Sequence, residues 1–384
     1  MTIIGRPAFR RIVTAVVAAE IRRLRHADLP NSPDWEDTTP IGDQGLGLDS
    51  LERLGALGGL AEVFGLDDAT LPDRPARYVG DWVDWVMQGH PPGGSRITIK
   101  TSGSTGPSVS CTHPLSDLVD EAGYFAQRLA DRRRIVALVP AHHLYGLIWT
   151  ALLPDALGVP VVMREIGTAL DLVPGDLVVA VPDQWQAIGM LTRQFPGDII
   201  GVSSAAPLQD MLADALIAAG LAGLFDIYGS SETGGIAIRE HPATEYDLLP
   251  RWSLLPSDGD WELTDGRGAR YALPDHIDRT GERRIRPTGR RDGAVQIGGH
   301  NVSLTHVAET LRRIDGVADA AVRLHGNGRL KAFVVPEDSR DPAELAKVIE
   351  ESMAASLSVP ERPRNLTFGP ALPKNTMGKL ADWT

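Results

Sequence analysis

The sequence predicts an α/β protein in three parts: a helical region over residues 1–89, a large α/β core over 96–290 and a small α+β domain over 291–384. Apolar residues recur at helical spacing in the first part. Short apolar runs alternate with helical stretches in the second part, which is typical of a sheet covered by helices. The third part mixes strands and helices over roughly 90 residues, a length that can fold alone.

The first part begins with an amphipathic helix, because Val13, Val17, Ile21 and Leu24 lie three or four residues apart. Residues 1–25 also contain the basic and apolar residues of a secretory signal, but no small-residue cleavage site follows the apolar patch. We therefore expect a cytoplasmic protein.

A second helix is expected to begin at Asp49 and Ser50. Asp49 is a suitable N-cap, and Glu52 stands three residues later, as in a capping box. A third helix is expected over 79–86. The run of prolines and glycines at 90–95 then breaks the periodicity and marks the first domain boundary.

The core contains apolar runs that predict buried strands at 97–99, 135–139, 160–163, 177–181, 199–202 and 225–228. Open α/β sheets bind ligands where loops leave the carboxyl ends of the strands. The loops after these runs are therefore the expected ligand site. In the small domain we expect strands at 295–297, 320–323, 331–335 and 365–368, with helices at 306–314 and 342–357.

The composition excludes several classes of protein. Lys and Arg number 38 and Asp and Glu number 50, so the net charge of −12 argues against nucleic-acid binding. No apolar run approaches the ~20 residues of a membrane helix. Cys111 is the single cysteine, which excludes an internal disulfide and a cysteine-based zinc site.

The strongest motif directly follows the run at 97–99. Glycines and small hydroxyl residues let backbone N–H groups surround an anion, and their hydroxyls can reach phosphate oxygens or Mg²⁺. A flexible surface turn explains such a hexapeptide as well. The motif consists of Thr101, Ser102, Gly103, Ser104, Thr105 and Gly106.

Three further stretches strengthen the interpretation of residues 101–106 as a phosphate-binding loop. Residues 227–232 offer Tyr228 as an aromatic face for a purine ring and Glu232 as a carboxylate for a divalent cation. Residues 288–292 lie at the change into the small domain, and residues 373–379 lie near the C-terminus. Taken singly, these stretches also fit a core tyrosine, a charged turn and a solvated tail.

In this order, the four stretches resemble the motifs of the adenylate-forming superfamily, which includes acyl- and aryl-CoA ligases, adenylation domains of peptide synthetases and luciferases. The phosphate loop of that family resembles 101–106, and its Tyr-Gly-x-Thr-Glu element resembles 228–232, with Ser231 in the threonine position. Its Gly-Arg-x-Asp hinge resembles 289–292, and its C-terminal Gly-Lys resembles Gly378 and Lys379. The resemblance covers 96–384, with weaker matches at 140–146 and 203–208.

The resemblance implies that a carboxylate attacks the α-phosphate of ATP, giving an acyl-adenylate and pyrophosphate, before a nucleophile such as a thiol takes the acyl group. Lys379 would be the catalytic cation at the carboxylate and α-phosphate. Glu232 and Thr105 would hold Mg²⁺. His143 matches a position that faces the acyl pocket, although a buried structural histidine is the alternative.

The resemblance also assigns the nucleotide contacts. Tyr228 would stack on adenine, and Arg290 would reach the ribose or the phosphates. Asp275 best matches the ribose-binding aspartate, with Asp278 as the alternative, and Asp292 is the expected hinge of the small domain. The other expected nucleotide-binding residues are Thr101, Ser102, Gly103, Ser104, Thr105, Gly106, Ser204, Ala205, Ala206, Gly229 and Ser231.

The sequence departs from the family at the phosphate loop. The family usually follows this loop with Pro-Lys, and the lysine holds the β- and γ-phosphates, whereas residues 107–111 here contain no lysine. Lys100, directly before the loop, is a candidate replacement because of its proximity. An inactive ATP site is the alternative.

The N-terminal region is also shorter than in the family. Residues 46–51 with Phe64 and Gly65 resemble the phosphopantetheine attachment site of acyl carrier proteins, in which Ser50 would be the modified serine. The alternative is that Asp49 and Ser50 only cap a helix of a carrier-like bundle. Small helical N-terminal regions of this kind also occur in compact aryl-acid ligases.

Three functions therefore remain open. The first is an ATP- and Mg²⁺-dependent ligase that activates a small aromatic acid, such as a benzoate or cinnamate, for transfer to CoA or a carrier thiol. The second is a diazotase that activates nitrite with ATP and passes it to an aryl amine such as an aminocinnamic acid. The third is a non-catalytic nucleotide-binding or carrier scaffold.

Overall fold

The fold was derived from a computed structural model of the chain. The structure describes residues 4–25, 35–67, 74–90, 95–100, 109–257, 260–291, 293–297, 300–326, 328–337, 340–374 and 380–383.

The described helices and strands follow the α/β pattern that the sequence predicts. The helices are α1 (Arg6–Arg25), α2 (Ser50–Phe64), α3 (Val79–Gly89), α4 (Leu115–Arg128), α5 (Leu144–Gly146), α6 (Leu153–Leu157), α7 (Pro182–Leu191), α8 (Asp210–Ala218), α9 (Leu304–Arg312) and α10 (Pro342–Ser356), with a π-helical segment at Leu147–Leu152 and a 3₁₀ turn at Val359–Glu361. The strands are β1 (Arg96–Lys100), β2 (Ser110–Pro114), β3 (Arg134–Ala137), β4 (Val161–Met163), β5 (Asp176–Ala180), β6 (Ile200–Ser203), β7 (Gly223–Ser230), β8 (Gly234–Glu240), β9 (Tyr246–Leu248), β10 (Trp252–Ser257), β11 (Asp260–Asp265), β12 (Arg270–Ala272), β13 (Asp275–Arg279), β14 (Arg284–Arg290), β15 (Val295–Ile297), β16 (His300–Val302), β17 (Val317–Leu324), β18 (Leu330–Pro336) and β19 (Asn365–Phe368).

Helix α2 begins where the sequence predicts. The Asp49 carboxylate accepts a hydrogen bond from the Glu52 amide at 2.8 Å, and the Glu52 carboxylate accepts one from the Asp49 amide at 2.9 Å. This reciprocal pair is the predicted capping box. Helix α1 packs closely against α2 at Gly55, where a Cβ atom would lie 2.8 Å from Leu24 Cδ1. The glycine therefore permits the close approach of the two helices.

The large sheet is formed, among the described residues, by nine strands in the order β13-β14-β9-β8-β7-β6-β5-β3-β4. Strands β4, β3, β5, β6 and β7 run parallel, whereas β8, β9, β14 and β13 continue the sheet antiparallel. The sheet switches from parallel to antiparallel at β7, whose last three residues begin the predicted signature of residues 228–232.

Different helices cover the two faces of the parallel strands. On one face, apolar side chains of α1, α3 and α4 join those of the sheet in one cluster that includes Val13, Trp82, Leu118 and Val179. On the other face, α7 and α8 cover a second cluster that includes Trp185. The N-terminal helices therefore share a hydrophobic core with the sheet.

The small domain follows the predicted order of strands and helices. Strands β17 and β18 pair antiparallel, and β18 and β19 pair parallel. Helices α9 and α10 contribute Val307, Leu311 and Ile349 to a cluster that is separate from those of the large sheet. The region from residue 295 to 368 thus has its own core. No helix among the described segments is long and apolar enough to cross a membrane.

Candidate active site

The signature of residues 228–232 lies where β7 ends and turns into β8. The Tyr228 hydroxyl donates a hydrogen bond to Asp275 Oδ2 at 2.9 Å. Asp275 begins β13 and pairs in register with Arg290, the last residue of β14. Three residues that are far apart in the sequence therefore meet at one end of the sheet. Asp278 is exposed further along β13, so the geometry favours Asp275 over the alternative aspartate.

The Tyr228 hydroxyl remains protonated under ordinary conditions. Burial raises the pKa of the Tyr228 hydroxyl, and the nearby negative charge of Asp275 raises it further. The charges of Arg290 and Arg291 oppose these two effects without cancelling them. The hydroxyl is therefore a hydrogen-bond donor, and it fixes the orientation of the ring.

The loop after β6 lies beside this tyrosine. Strands β6 and β7 are parallel neighbours, and Ser203 pairs with Asp226. The buried hydroxyl of Ser204 donates to the Ile227 carbonyl at 2.8 Å, and Ala205 turns the chain at a φ of 72°. Because left-handed backbone is rare for alanine, the turn is held by its surroundings. The predicted residues 204–206 thus adjoin Tyr228.

The hairpin between β7 and β8 is unusually tight. A Cβ atom at Gly229 would lie 2.4 Å from the Gly234 carbonyl oxygen, so this position requires glycine. The adjoining turn carries Ser231 and Glu232, and Glu232 is exposed.

His113, which the sequence did not single out, holds this turn. Its Nε2 atom lies 2.8 Å from the Ser231 carbonyl oxygen, and since a carbonyl can only accept, the imidazole carries its proton on Nε2. Burial lowers the pKa of His113, which favours this neutral form. His113 lies on β2, the strand that follows the predicted phosphate loop. Strand β2 is therefore tied to the Glu232 turn.

Cys111 lies on the same strand as His113 and is buried. Burial raises the pKa of the Cys111 thiol, and the negative charge of Glu232 raises it further.

His143 is exposed, so the alternative of a buried structural histidine is wrong. Its ring lies 4.1 Å, between centroids, from that of His142, and burial lowers the pKa of His142 to about 2. Two residues further on, the single hydroxyl proton of Tyr145 is shared between the carbonyls of Val202, at 2.9 Å, and Ala180, at 3.2 Å. These contacts hold α5 beside the carboxyl ends of β5 and β6.

Lys100 forms an exposed ion pair with Glu62 of α2, with 2.6 Å between Nζ and Oε2. This is the observed position of the candidate replacement for the missing loop lysine. Other predicted site residues lie outside the described part of the chain: Thr101, Ser102, Gly103, Ser104, Thr105, Gly106, Asp292 and Lys379.

Known proteins resemble the chain over almost its whole length. A 4-coumarate–CoA ligase of Rhodobacter capsulatus is 38% identical over 393 residues, covering 97% of this chain and 99% of that protein. A 4-coumarate–CoA ligase of Halorhodospira halophila is 36% identical over 389 residues, covering 96% of this chain and 97% of that protein. No family model matches the chain.

A solved structure shares the fold. The o-succinylbenzoate CoA synthetase of Bacillus subtilis, a double mutant bound to a product analogue, gives a TM-score of 0.61 at 18% identity. The match covers 74% of this chain and 67% of that chain.

The fold and the full-length similarity define the class of protein, which is an adenylate-forming ligase of the acyl- and aryl-CoA type. Within that class, the chain belongs to the family of the bacterial proteins named 4-coumarate–CoA ligase. The class predicted from the four motifs is confirmed. The similarity does not address the carrier-like resemblance of the N-terminal region.

Proposed function

We propose that the protein uses ATP to activate 4-coumarate, or a closely related hydroxycinnamic acid, and transfers the acyl group to CoA. The observation that carries the proposal is the identity of 34–38% to three proteins named 4-coumarate–CoA ligase, over nearly the entire chain. The arrangement of Tyr228, Asp275 and Glu232 around one end of the sheet supports it.

The reaction balances in two steps. A carboxylate oxygen of the acid attacks the α-phosphorus of ATP, the bond between the α-phosphorus and the bridging oxygen breaks, and pyrophosphate leaves. The sulfur of CoA then attacks the acyl carbon, AMP leaves with the former carboxylate oxygen, and the thiol proton is released. No covalent enzyme intermediate is needed, so the chain contributes positioning and charge.

The nucleoside would be bound by residues that the fold brings together. The Tyr228 ring would stack on adenine, with its hydroxyl held by Asp275 Oδ2 at 2.9 Å. The other carboxylate oxygen of Asp275 would accept from the ribose, and Arg290, beside it in the register, would reach the ribose or the phosphates. Residues 204–206 would line the adenine from the neighbouring strand.

MgATP would be the substrate form of the nucleotide. Carboxylate and hydroxyl oxygens suit Mg²⁺, and the Glu232 carboxylate is exposed and has no ion pair within the described part of the chain. Glu232 with Thr105 would therefore hold the cation, and residues 101–106 would surround the phosphates. Lys379 would neutralise charge that develops between the carboxylate and the α-phosphate.

The small domain would move between the two steps. It buries its own cluster of apolar side chains, so it can turn as a unit about a hinge at Asp292. This motion would bring Lys379 to the site for adenylation and withdraw it for thioester formation.

One panel of reactions tests the proposal. The purified protein is incubated with ATP, Mg²⁺ and 4-coumarate, cinnamate, benzoate or acetate, with and without CoA, and pyrophosphate and product mass are recorded. We expect pyrophosphate release that depends on the hydroxycinnamic acid and a CoA thioester only when CoA is present. Absence of pyrophosphate with every aryl acid would refute the function.

The same assay, extended with nitrite plus an aminocinnamic acid, separates the alternatives. Product formed only from nitrite and an aminocinnamic acid would support a diazotase instead. Ser50 is exposed at the start of α2, and the intact mass of protein co-expressed with a phosphopantetheinyl transferase tests its modification. An unchanged mass leaves Asp49 and Ser50 with the capping role alone.

A further inference from the structure

A buried arginine joins several of the elements that surround the proposed adenine site. Arg239 lies on β8 and pairs in register with Asp226 of β7. Its Nη2 atom donates to Asp226 Oδ2 at 3.0 Å and to the Leu208 carbonyl oxygen at 3.1 Å. Its Nη1 atom donates to Oδ1 of Asp210, the first residue of α8, at 2.8 Å. The guanidinium therefore connects β7 and β8 with the end of the loop over residues 204–208.

Both ends of this loop are attached to strand β7. At its start, the Ser204 hydroxyl donates to the Ile227 carbonyl at 2.8 Å. At its end, the Leu208 carbonyl is connected to β7 through Arg239 and the carboxylate of Asp226. The chain between these two attachments is the part that would line adenine. Arg239 thus fixes one of the two points that define the position of the loop.

The same carboxylate is also linked to the Tyr228 ring. Asp226 Oδ2 accepts a hydrogen bond from the Tyr246 hydroxyl at 2.5 Å. The Tyr246 ring meets the Tyr228 ring edge-on, with 6.1 Å between the centroids, and the Arg239 guanidinium lies 5.1 Å from the centroid of the Tyr246 ring. One ion pair is therefore connected to both groups that would contact the purine, the loop through Leu208 and the tyrosine through Tyr246.

The ion pair between Arg239 and Asp226 is buried, since their side chains are 8% and 5% exposed. The Nε atom of Arg239 is also buried and has no hydrogen-bond partner in the part of the chain that the structure describes. Loss of hydration offsets much of the attraction in a buried pair, so such a pair is a weak source of net stability. The clearest consequence of the pair is geometric, because it fixes where the loop ends relative to β7.

We propose that Arg239 is a positioning residue for the nucleotide, which holds the loop over residues 204–208 at the distance from Tyr228 that a purine ring needs. Arg239 would act through the loop and would not itself contact the nucleotide. A loop that is already in place loses little conformational freedom on binding, whereas a released loop must be ordered and binds more weakly. The inference rests on the proposed function, in which Tyr228 stacks on adenine, and it adds the residue that shapes that site.

Two substitutions of Arg239 and one matched control test this role. In Arg239→Met the Leu208 carbonyl loses its donor, whereas in Arg239→Lys a single ammonium group can still reach one of the acceptors. Arg132→Met is the control, because Arg132 is also buried and also donates to a carbonyl and a carboxylate, both of Asp198, at 3.0 and 2.7 Å. Arg132 precedes β3, at the opposite end of the parallel strands from the loop after β6.

Pyrophosphate release gives the KM values for ATP and 4-coumarate, and calorimetry gives the dissociation constant of AMP. We expect Arg239→Met to raise the KM for ATP and the dissociation constant of AMP about tenfold, because ordering even one loop residue costs on that scale. The KM for 4-coumarate should change less than about threefold, and Arg239→Lys should fall between Arg239→Met and the wild type. Arg132→Met should be less stable in urea, with both KM values within about twofold of the wild type.

If Arg239→Met does not fold, the double variant with Arg239→Met and Asp226→Asn replaces it, because it leaves no unpaired buried carboxylate. An unchanged affinity for AMP in the folded variant, or an equal loss of affinity in Arg132→Met, overturns the positioning role alone. A wild type that binds AMP but releases no pyrophosphate with any aryl acid overturns the proposed function, while the measurements with AMP still decide the role of Arg239.

Discussion

The Tyr228 hydroxyl donates to Asp275 Oδ2 at 2.9 Å and so joins the hairpin of β7 and β8 to the start of β13. The bond links an aromatic ring proposed for adenine to a carboxylate proposed for ribose. Since the ring is already oriented, less conformational freedom would be lost when nucleotide binds.

Removing only this hydroxyl tests the link. In Tyr228→Phe the ring remains, so we expect the KM for ATP to rise by at least about tenfold, the worth of one hydrogen bond to a charged group, with a smaller change in kcat. ATP–pyrophosphate exchange measures both constants. Tyr78→Phe, at an exposed tyrosine on α3's N-terminal side, is the control, and an unchanged KM in Tyr228→Phe would contradict the role.

His113 should be needed for the geometry of the Glu232 turn. His113→Leu leaves the Ser231 carbonyl without its donor, which should lower the free energy of unfolding by about 1–3 kcal/mol. We also expect a higher Mg²⁺ concentration for half-maximal activity, because Glu232 follows Ser231 directly. Urea unfolding and a Mg²⁺ titration measure the two effects.

His113→Gln provides the matched comparison, because its amide can still donate. It should recover part of the stability and of the Mg²⁺ response. If His113→Leu changes stability while the Mg²⁺ response stays at the wild-type value, the histidine supports the fold and not the turn.

Glu121 should make stability depend on pH. Burial raises the pKa of its carboxyl group from 4.5 to about 7, against the opposing effects of the Gly235 N–H and the Arg251 charge. Between these values the folded state keeps a proton that the unfolded state releases. Stability from this group is therefore present below pH 4.5 and is lost as the pH rises to about 7, by on the order of 3 kcal/mol.

Glu121→Gln removes the titration and retains an acceptor for Gly235. We expect the variant to gain stability relative to the wild type between pH 5 and pH 8, as measured by urea unfolding at each pH. A difference between the two proteins that is the same at both pH values would exclude a raised pKa at this carboxyl group.

Lys379→Ala should abolish adenylation while leaving nucleotide affinity nearly intact, because the interaction belongs to the transition state. Pyrophosphate release and calorimetry with ATP distinguish the two effects. Lys374→Ala removes an exposed lysine from the same C-terminal stretch and should retain activity. Wild-type turnover in Lys379→Ala would refute the catalytic role.

The parallel half of the sheet could be predicted from the sequence to within one or two residues, because most of its strands are short apolar runs buried on both faces. Strands β8–β14 were not predicted. Many of them carry charged residues and are half-exposed, as in β14, whose pattern of burial reflects pairing with β9 and β13. Pairing of this kind depends on distant parts of the chain.

The residues of the candidate site also fall into two groups, those that a contiguous stretch of sequence reveals and those that it does not. The sequence singles out Tyr228, Asp275 and Ser204 because they belong to contiguous stretches that resemble motifs. His113 and Glu121 stand alone in the sequence, and their contacts with Ser231 and Gly235 cross more than 100 residues. The role of a single polar residue of this kind can be recognised only when the fold shows which residues it contacts.

Helix α1 buries side chains on most of its circumference, among them Phe9, Ile12, Val17 and Ile21. A polypeptide that started at residue 95 would leave the apolar cluster around the sheet uncovered, and we expect it to aggregate. The N-terminal helices are therefore not an independent domain that could be exchanged between enzymes. They form part of the hydrophobic core of the large domain.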